Sequence, residues 1–199
     1  MKWFTKINRG VILTAIIVIG VIVYLVGLSL SHKAQIPAIQ KICEEYVVVD
    51  VQYSMLPVNQ RKEVPDMSNA ELTSYLNEMK TAISAYFPKD ENSVKFELKS
   101  KTASLTAQAS GQDVIYSYSK TIKKFTGYVY DKDTVTVSFL SDTSIEKNMI
   151  GKTGALEKTK LNIETTDQII LNKESGEWRV IYTSITKPDM NQPGYPSYR

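Results

Sequence analysis

The chain has 199 residues and a net charge of +3, from 24 Lys and Arg against 21 Asp and Glu. Lys2, Lys6 and Arg9 account for the whole excess, so everything after Leu30 balances at 21 basic against 21 acidic side chains and carries no electrostatic footprint for nucleic acid. The single His, His32, and the single Cys, Cys43, exclude a Ser-His or Cys-His nucleophile within the main body, a His-ligated zinc and an internal disulfide.

The first predicted element is "VILTAIIVIGVIVYLVGLSL", Val11 to Leu30, which holds no charge and no Pro. About 20 apolar residues suffice for an α-helix to cross a hydrocarbon core of about 30 Å, and a cleaved leader usually has a shorter apolar run. This predicts a retained transmembrane helix over 11–30, with residues 1–10 cytoplasmic by the positive-inside bias and the rest of the chain extracytoplasmic. Small residues from Gly27 onward also offer a cleavage site, which would release the remainder as a secreted domain. The lone Cys and the lack of any Asn-x-Ser/Thr sequon favour a bacterial cell envelope.

A linker is predicted over 31–38, then one extracytoplasmic domain over 39–187 and an extended or disordered tail over 188–199 with Pro188, Pro193 and Pro196. Ile39, Ile42, Tyr46, Val49, Tyr53 and Leu56 recur at helical steps and predict a helix that stops at Pro57. Ser68 and Glu71 form a capping-box pattern, and Leu72, Leu76, Met79, Ile83 and Tyr86 give a second helical stripe. From Ser93 the period changes to two. Val94, Phe96 and Leu98, then Ala103, Leu105 and Ala107, then Val114, Tyr116 and Tyr118, then Val135, Val137 and Phe139 predict strands, followed by Leu161–Leu171 and Trp178–Thr186. "SGQD", "DKD" and "NKESGE" are turn signals of hairpin length. The predicted class is α+β: an N-terminal transmembrane helix, then two helices packed on a curved, mostly antiparallel sheet.

The final segment "GEWRVIYTSI", preceded by the long strand "LNIETTDQIILN", resembles the end of nuclear transport factor 2-like domains. The resemblance implies a cone-like fold with an interior cavity, in a superfamily of small enzymes, ligand binders and interaction modules. In enzymes of that superfamily an acidic residue and a Tyr inside the cone act as base and oxyanion donor. Asp50 is the acid that this chain offers there, one turn from Tyr46 and about one turn before Tyr53, with Tyr116 and Tyr118 on a strand opposite. The competing assignment makes the tyrosines ordinary core residues and Asp50 a solvated one.

"MIGKTG" at Met149 contains Gly-Lys-Thr, but a phosphate-binding loop needs Gly where Glu146 stands, so the segment is assigned to a surface loop. Glu44 with Glu45, and Asp131 with Asp133, are assigned to solvated surface. No cofactor and no metal are expected. The layout of one span and one outer domain resembles the bitopic subunits of conjugative and type IV secretion machines. It implies a non-enzymatic module that binds other envelope proteins, with self-association left open. A tethered or secreted ligand-binding or enzymatic cone is the alternative.

Overall fold

The computed structural model describes residues 9–89, 91–150 and 156–186. The predicted tail over 188–199, most of the predicted cytoplasmic terminus, and Gly151 to Gly154 of "MIGKTG" lie outside the described residues. Chain contacts divide the molecule into two units, Met1–Ile39 and Gln40–Arg199.

Helix α1 runs from Arg9 to Gln52. Within the first unit, every residue from Ile16 to Leu30 is exposed. An apolar helix of this length, bare on all sides, is long and apolar enough to cross a membrane. The residues of the predicted linker, 31–38, are helical, with Pro37 inside the helix. Pro removes one N–H donor, and the residues on both sides are good enough helix formers to continue past it.

In the second unit the buried stripe of α1 is Cys43, Tyr46, Val47 and Asp50, while Ile42 and Val49 are half-buried. Helix α2, Asn69–Ser84, starts at the predicted capping box: the Ser68 hydroxyl accepts from the Glu71 N–H at 3.3 Å, and the Glu71 carboxylate accepts from the Ser68 N–H at 2.8 Å. Its Met79 and Ile83 are fully buried.

Helix α3, Glu91–Ala109, corrects the strands predicted over Val94–Leu98 and Ala103–Ala107. Its inward residues are Val94, Lys101, Leu105 and Gln108, at steps of helical spacing, and Phe96 is 80% exposed. Two of the four inward positions are polar, so the 3.6-residue apolar period is masked and the accidental alternation of Val94, Phe96 and Leu98 stands out instead.

Four strands follow: β1 Ile115–Asp131, β2 Thr134–Ile150, β3 Leu156–Glu174 and β4 Glu177–Ser184. They form one antiparallel sheet in the order β1-β2-β3-β4. The β1–β2 turn places Lys132 at φ 52°, and the β3–β4 turn places Ser175 at 51° and Gly176 at 89°. Two successive left-handed residues match the turn twist that suits a tight hairpin. Bulges at Ile115/Ser117, Ile122/Lys124 and Phe125/Gly127 in β1, and at Ile170/Leu171 between β3 and β4, bend the sheet. Along β2 alternate residues from Val135 to Lys147 are buried, as a strand with one covered face requires. The fold is therefore α+β, with an apolar N-terminal helix, two further helices and a curved four-stranded antiparallel sheet.

Candidate functional site

The inner face of the sheet changes character along its length. Val135, Val137, Phe139, Ile169, Leu171 and Val180 make an apolar end, and Lys120, Ser141, Thr143, Thr165 and Asp167 make a polar one. Strand parity puts all of them on one side: Lys120 follows the buried Tyr118 by two, and Asp167 precedes Ile169 and Leu171 by two and four. Directly paired positions bring them together, Lys120 opposite Thr143 and Ser141 opposite Thr165.

Lys120 and Asp167 form a buried ion pair, Nζ to Oδ2 at 2.7 Å with neither side chain exposed. The Lys120 ammonium also donates to Thr165 Oγ1 at 3.1 Å and to the Thr186 carbonyl at 3.0 Å, so each of its three protons has an acceptor. Asp167 accepts from the Thr165 hydroxyl at 3.1 Å and from the Thr186 N–H at 2.8 Å. Burial lowers the Lys120 pKa, and the Asp167 carboxylate offsets part of that effect.

A second ion pair lies between α1 and α3. Lys101, 1% exposed, donates to Asp50 Oδ1 at 2.7 Å, to the Asp50 carbonyl at 3.0 Å and to Ser54 Oγ at 3.1 Å. Gln108 closes the same end of the interior by donating to the Ser54 carbonyl at 3.0 Å and accepting from the Ile115 N–H at 3.4 Å. Asp50 Oδ2, the Tyr46 and Tyr118 hydroxyls and Ser141 Oγ are buried without a hydrogen bond.

The five residues singled out from the sequence separate into three groups. Tyr46, Asp50 and Tyr118 point into the interior, at 0%, 2% and 5% exposure. Tyr46 packs edge-on against Tyr86 and Phe87, at 5.7 and 5.9 Å between ring centroids, with Glu97 and Thr183 near its hydroxyl. Its pKa is raised by burial and then by the Glu97 and Asp50 charges. Tyr118 sits among Met55, Ile115 and Ile145, and burial followed by Asp50 and Asp167 raises its pKa. Tyr53 is elsewhere, tilted at 45° against Tyr75 with 5.5 Å between ring centroids, beside a shallow pocket with Ser74, Asn77 and Glu78. Tyr116 lies under Lys158, whose ammonium is 4.5 Å from the ring centre. The assignment of Asp50 to solvent, weighed from the sequence, is corrected: Asp50 is a core residue because Lys101 neutralises it. Lys101, Lys120 and Asp167 were missed as site residues, although parity along β1 and β3 marks the last two as inward.

Among the described residues no group of three or more His, Cys, Asp and Glu is placed to hold a metal ion. No family model and no curated protein matches the chain. In structure it is similar to the association domain of C. elegans CaMKII, at a TM-score of 0.30 and 8% identity, over 57% of this chain and 88% of that one.

Proposed function

We propose that this protein is a membrane-anchored module that works by binding other proteins of a bacterial envelope assembly, with its domain on the extracytoplasmic side. The observation that carries the reading is the closed state of the interior: the acid best placed for chemistry, Asp50, is 2% exposed and held at 2.7 Å by Lys101. A catalytic carboxylate must reach a reacting proton within hydrogen-bond distance of substrate, and this one is buried and spent on an ion pair. The exposed apolar span supplies the anchor, and Lys2, Lys6 and Arg9 supply the orientation. A secretion or conjugation machine is the specific assembly for which the layout suits.

The test is crosslinking in intact cells with a C-terminally tagged chain, followed by alkaline extraction of membranes. The expected outcome is a full-length protein that stays in the membrane pellet and carries defined protein partners. A shortened soluble form without partners defeats the proposal.

One observation favours a second reading, a small-ligand cone. Asp50 Oδ2, Tyr118 and Ser141 leave buried polar atoms that a small polar guest would satisfy. A compound that raises Tm in the native protein and fails to do so in Tyr118→Phe would transfer the assignment to this reading.

A further inference from the structure

β3 runs from Leu156 to Glu174, yet β4 pairs with it only from Gln168 to Glu174. Beyond that point the chain touches β3 through Thr186, which donates its N–H to Asp167 Oδ1 and its hydroxyl to the Thr166 carbonyl. Among the described residues no strand pairs with the far edge of β3 from Leu156 to Thr165, and none of the residues 157–164 is buried.

The other sheet edges are guarded. β1 is broken by three bulges and carries Lys123 and Lys124, which are devices that keep an edge from pairing. The outer edge of β4 is covered where Val180 donates its N–H to the Tyr86 carbonyl at 2.8 Å and Arg179 donates to the Ala85 carbonyl at 2.7 Å. The β3 stretch carries Lys158 and Lys160 but has no bulge and, among the described residues, no cover. Its register with β2 is unbroken from Asn172 to Leu156, and it contains no Pro and no Gly. Such an edge is a template for strand addition.

We propose that two copies of this chain join antiparallel along the β3 edge, with Leu161 opposite Leu161 of the second copy. The proposal deepens the interaction-module reading by naming one surface and its partner. Register decides the partner. Thr159, Leu161 and Ile163 share the parity of the buried Thr165 and Asp167, whereas Lys158, Lys160 and Glu164 are exposed on the other side. Any shift by one residue sets Leu161 or Ile163 against a Lys of the other copy. A shift of the centre to Lys160 places Lys160 opposite itself, and a shift to Asn162 pairs Lys160 with Glu164 and Leu161 with Ile163 but sets Glu157 opposite Asp167, a buried position that Thr186 already occupies. Centred on Leu161, Lys158 of each copy faces Glu164 of the other, and Thr159 faces Ile163. Opposite charges directly across an antiparallel pair stabilise it, and like charges destabilise it.

In the single chain Lys158 already bonds Glu146 at 3.3 Å and covers Tyr116, and Glu164 bonds Lys123 at 2.8 Å. The new pairs extend these exposed rows across the junction. Two copies tethered in one membrane also meet at a high effective concentration.

The experiment uses the full chain in mild detergent and reads mass by sedimentation. A concentration-dependent dimer is expected. Leu161→Cys is expected to crosslink to itself with a short thiol reagent, Lys158→Cys alone is not, since its two copies would lie about 20 Å apart, and a mixture of Lys158→Cys and Glu164→Cys chains is. Lys158→Glu is expected to weaken the dimer about tenfold or more, and adding Glu164→Lys to restore it. A monomer at every concentration overturns the proposal. So does a dimer that is indifferent to Lys158→Glu and lacks the Leu161→Cys crosslink, which is the behaviour of pairing through the apolar helix. A dimer that forms only after deletion of 187–199 overturns it too, by assigning the edge to the chain's own tail. A monomer that still crosslinks other envelope proteins in cells removes this pairing and leaves the interaction-module reading standing.

Discussion

At 1% exposure the Lys101 ammonium has no water to replace a lost partner, and the same holds for Asp50 at 2%. Removing one member of a buried pair strands the other charge, a change that typically costs about 3–5 kcal/mol. Asp50→Asn and Lys101→Met are each expected to destabilise the domain on that scale in urea titrations. The double variant Asp50→Leu/Lys101→Met, which removes both fully buried charges and leaves only the partly exposed Glu97 without its contact to Lys101, should recover much of the loss. Asp50 therefore cannot be tested as a ligand residue by simple replacement, because folding answers first. Cys43 and the buried tyrosines set the alkaline limit. Burial pushes the Cys43 thiol up to about 12 and the Tyr75 hydroxyl up to about 12, and it raises Tyr46 and Tyr118 as well. These groups stay neutral in the native state and ionise first in the unfolded one. Their contribution is thus complete below the unfolded values near 9 for Cys and 10 for Tyr, and it is lost as pH climbs from there toward 12. Unfolding free energy should fall above about pH 9, and Cys43→Ala should delay the onset. A flat profile from pH 8 to 11 would contradict the burial of these groups. At this scale the sequence exposed Tyr46, Asp50 and Tyr118 through their spacing, but the cations that neutralise the interior sit on elements whose identity or facing had to be known first.

Helix α3 shows why one element escaped sequence reading while its neighbours did not. The sheet was legible because β2 alternates apolar and polar residues from Val135 to Phe139, and α2 was legible because Ser68 and Glu71 announce its start. In α3 the inward face carries Lys101 and Gln108, residues placed there to satisfy polar groups of α1 and β1. Tertiary hydrogen bonding overrode the apolar pattern, and pattern was the only signal available. The two assignments are separable by mutation. In the helix, Phe96 is 80% exposed and Leu105 is fully buried. Phe96→Ser should therefore change stability by about 0.5 kcal/mol or less, while Leu105→Ala should cost about 2–5 kcal/mol. A cost at Phe96 as large as that at Leu105 would restore the strand. At the β3–β4 turn, Gly176 at φ 89° has open space around a Cβ, so Gly176→Ala is penalised by backbone conformation alone, by about 1 kcal/mol.

At the scale of the whole molecule, class and order were legible: an apolar helix first, helices next, then strands. Length and absence of charge defined the first unit, since an unbroken apolar run leaves few physical options. Function was less legible because it depends on which faces are closed, and closure is a property of pairs far apart in sequence. The Lys120–Asp167 bond joins residues 47 apart, and Gln40 donates to the Tyr128 hydroxyl across 88.

The strand order carries a consequence for manufacture. Because every strand pairs with the one that follows it, the sheet zips in the direction of synthesis, each hairpin closing as its second arm emerges. The interior does not share that timetable. Tyr46 and Asp50 are made early, whereas the Thr186 carbonyl that completes the Lys120 site is made near the end. For most of its synthesis, the second unit is therefore a chain whose apolar helix stripe lacks its cover, and the segment that follows β4 is the one that completes the interior.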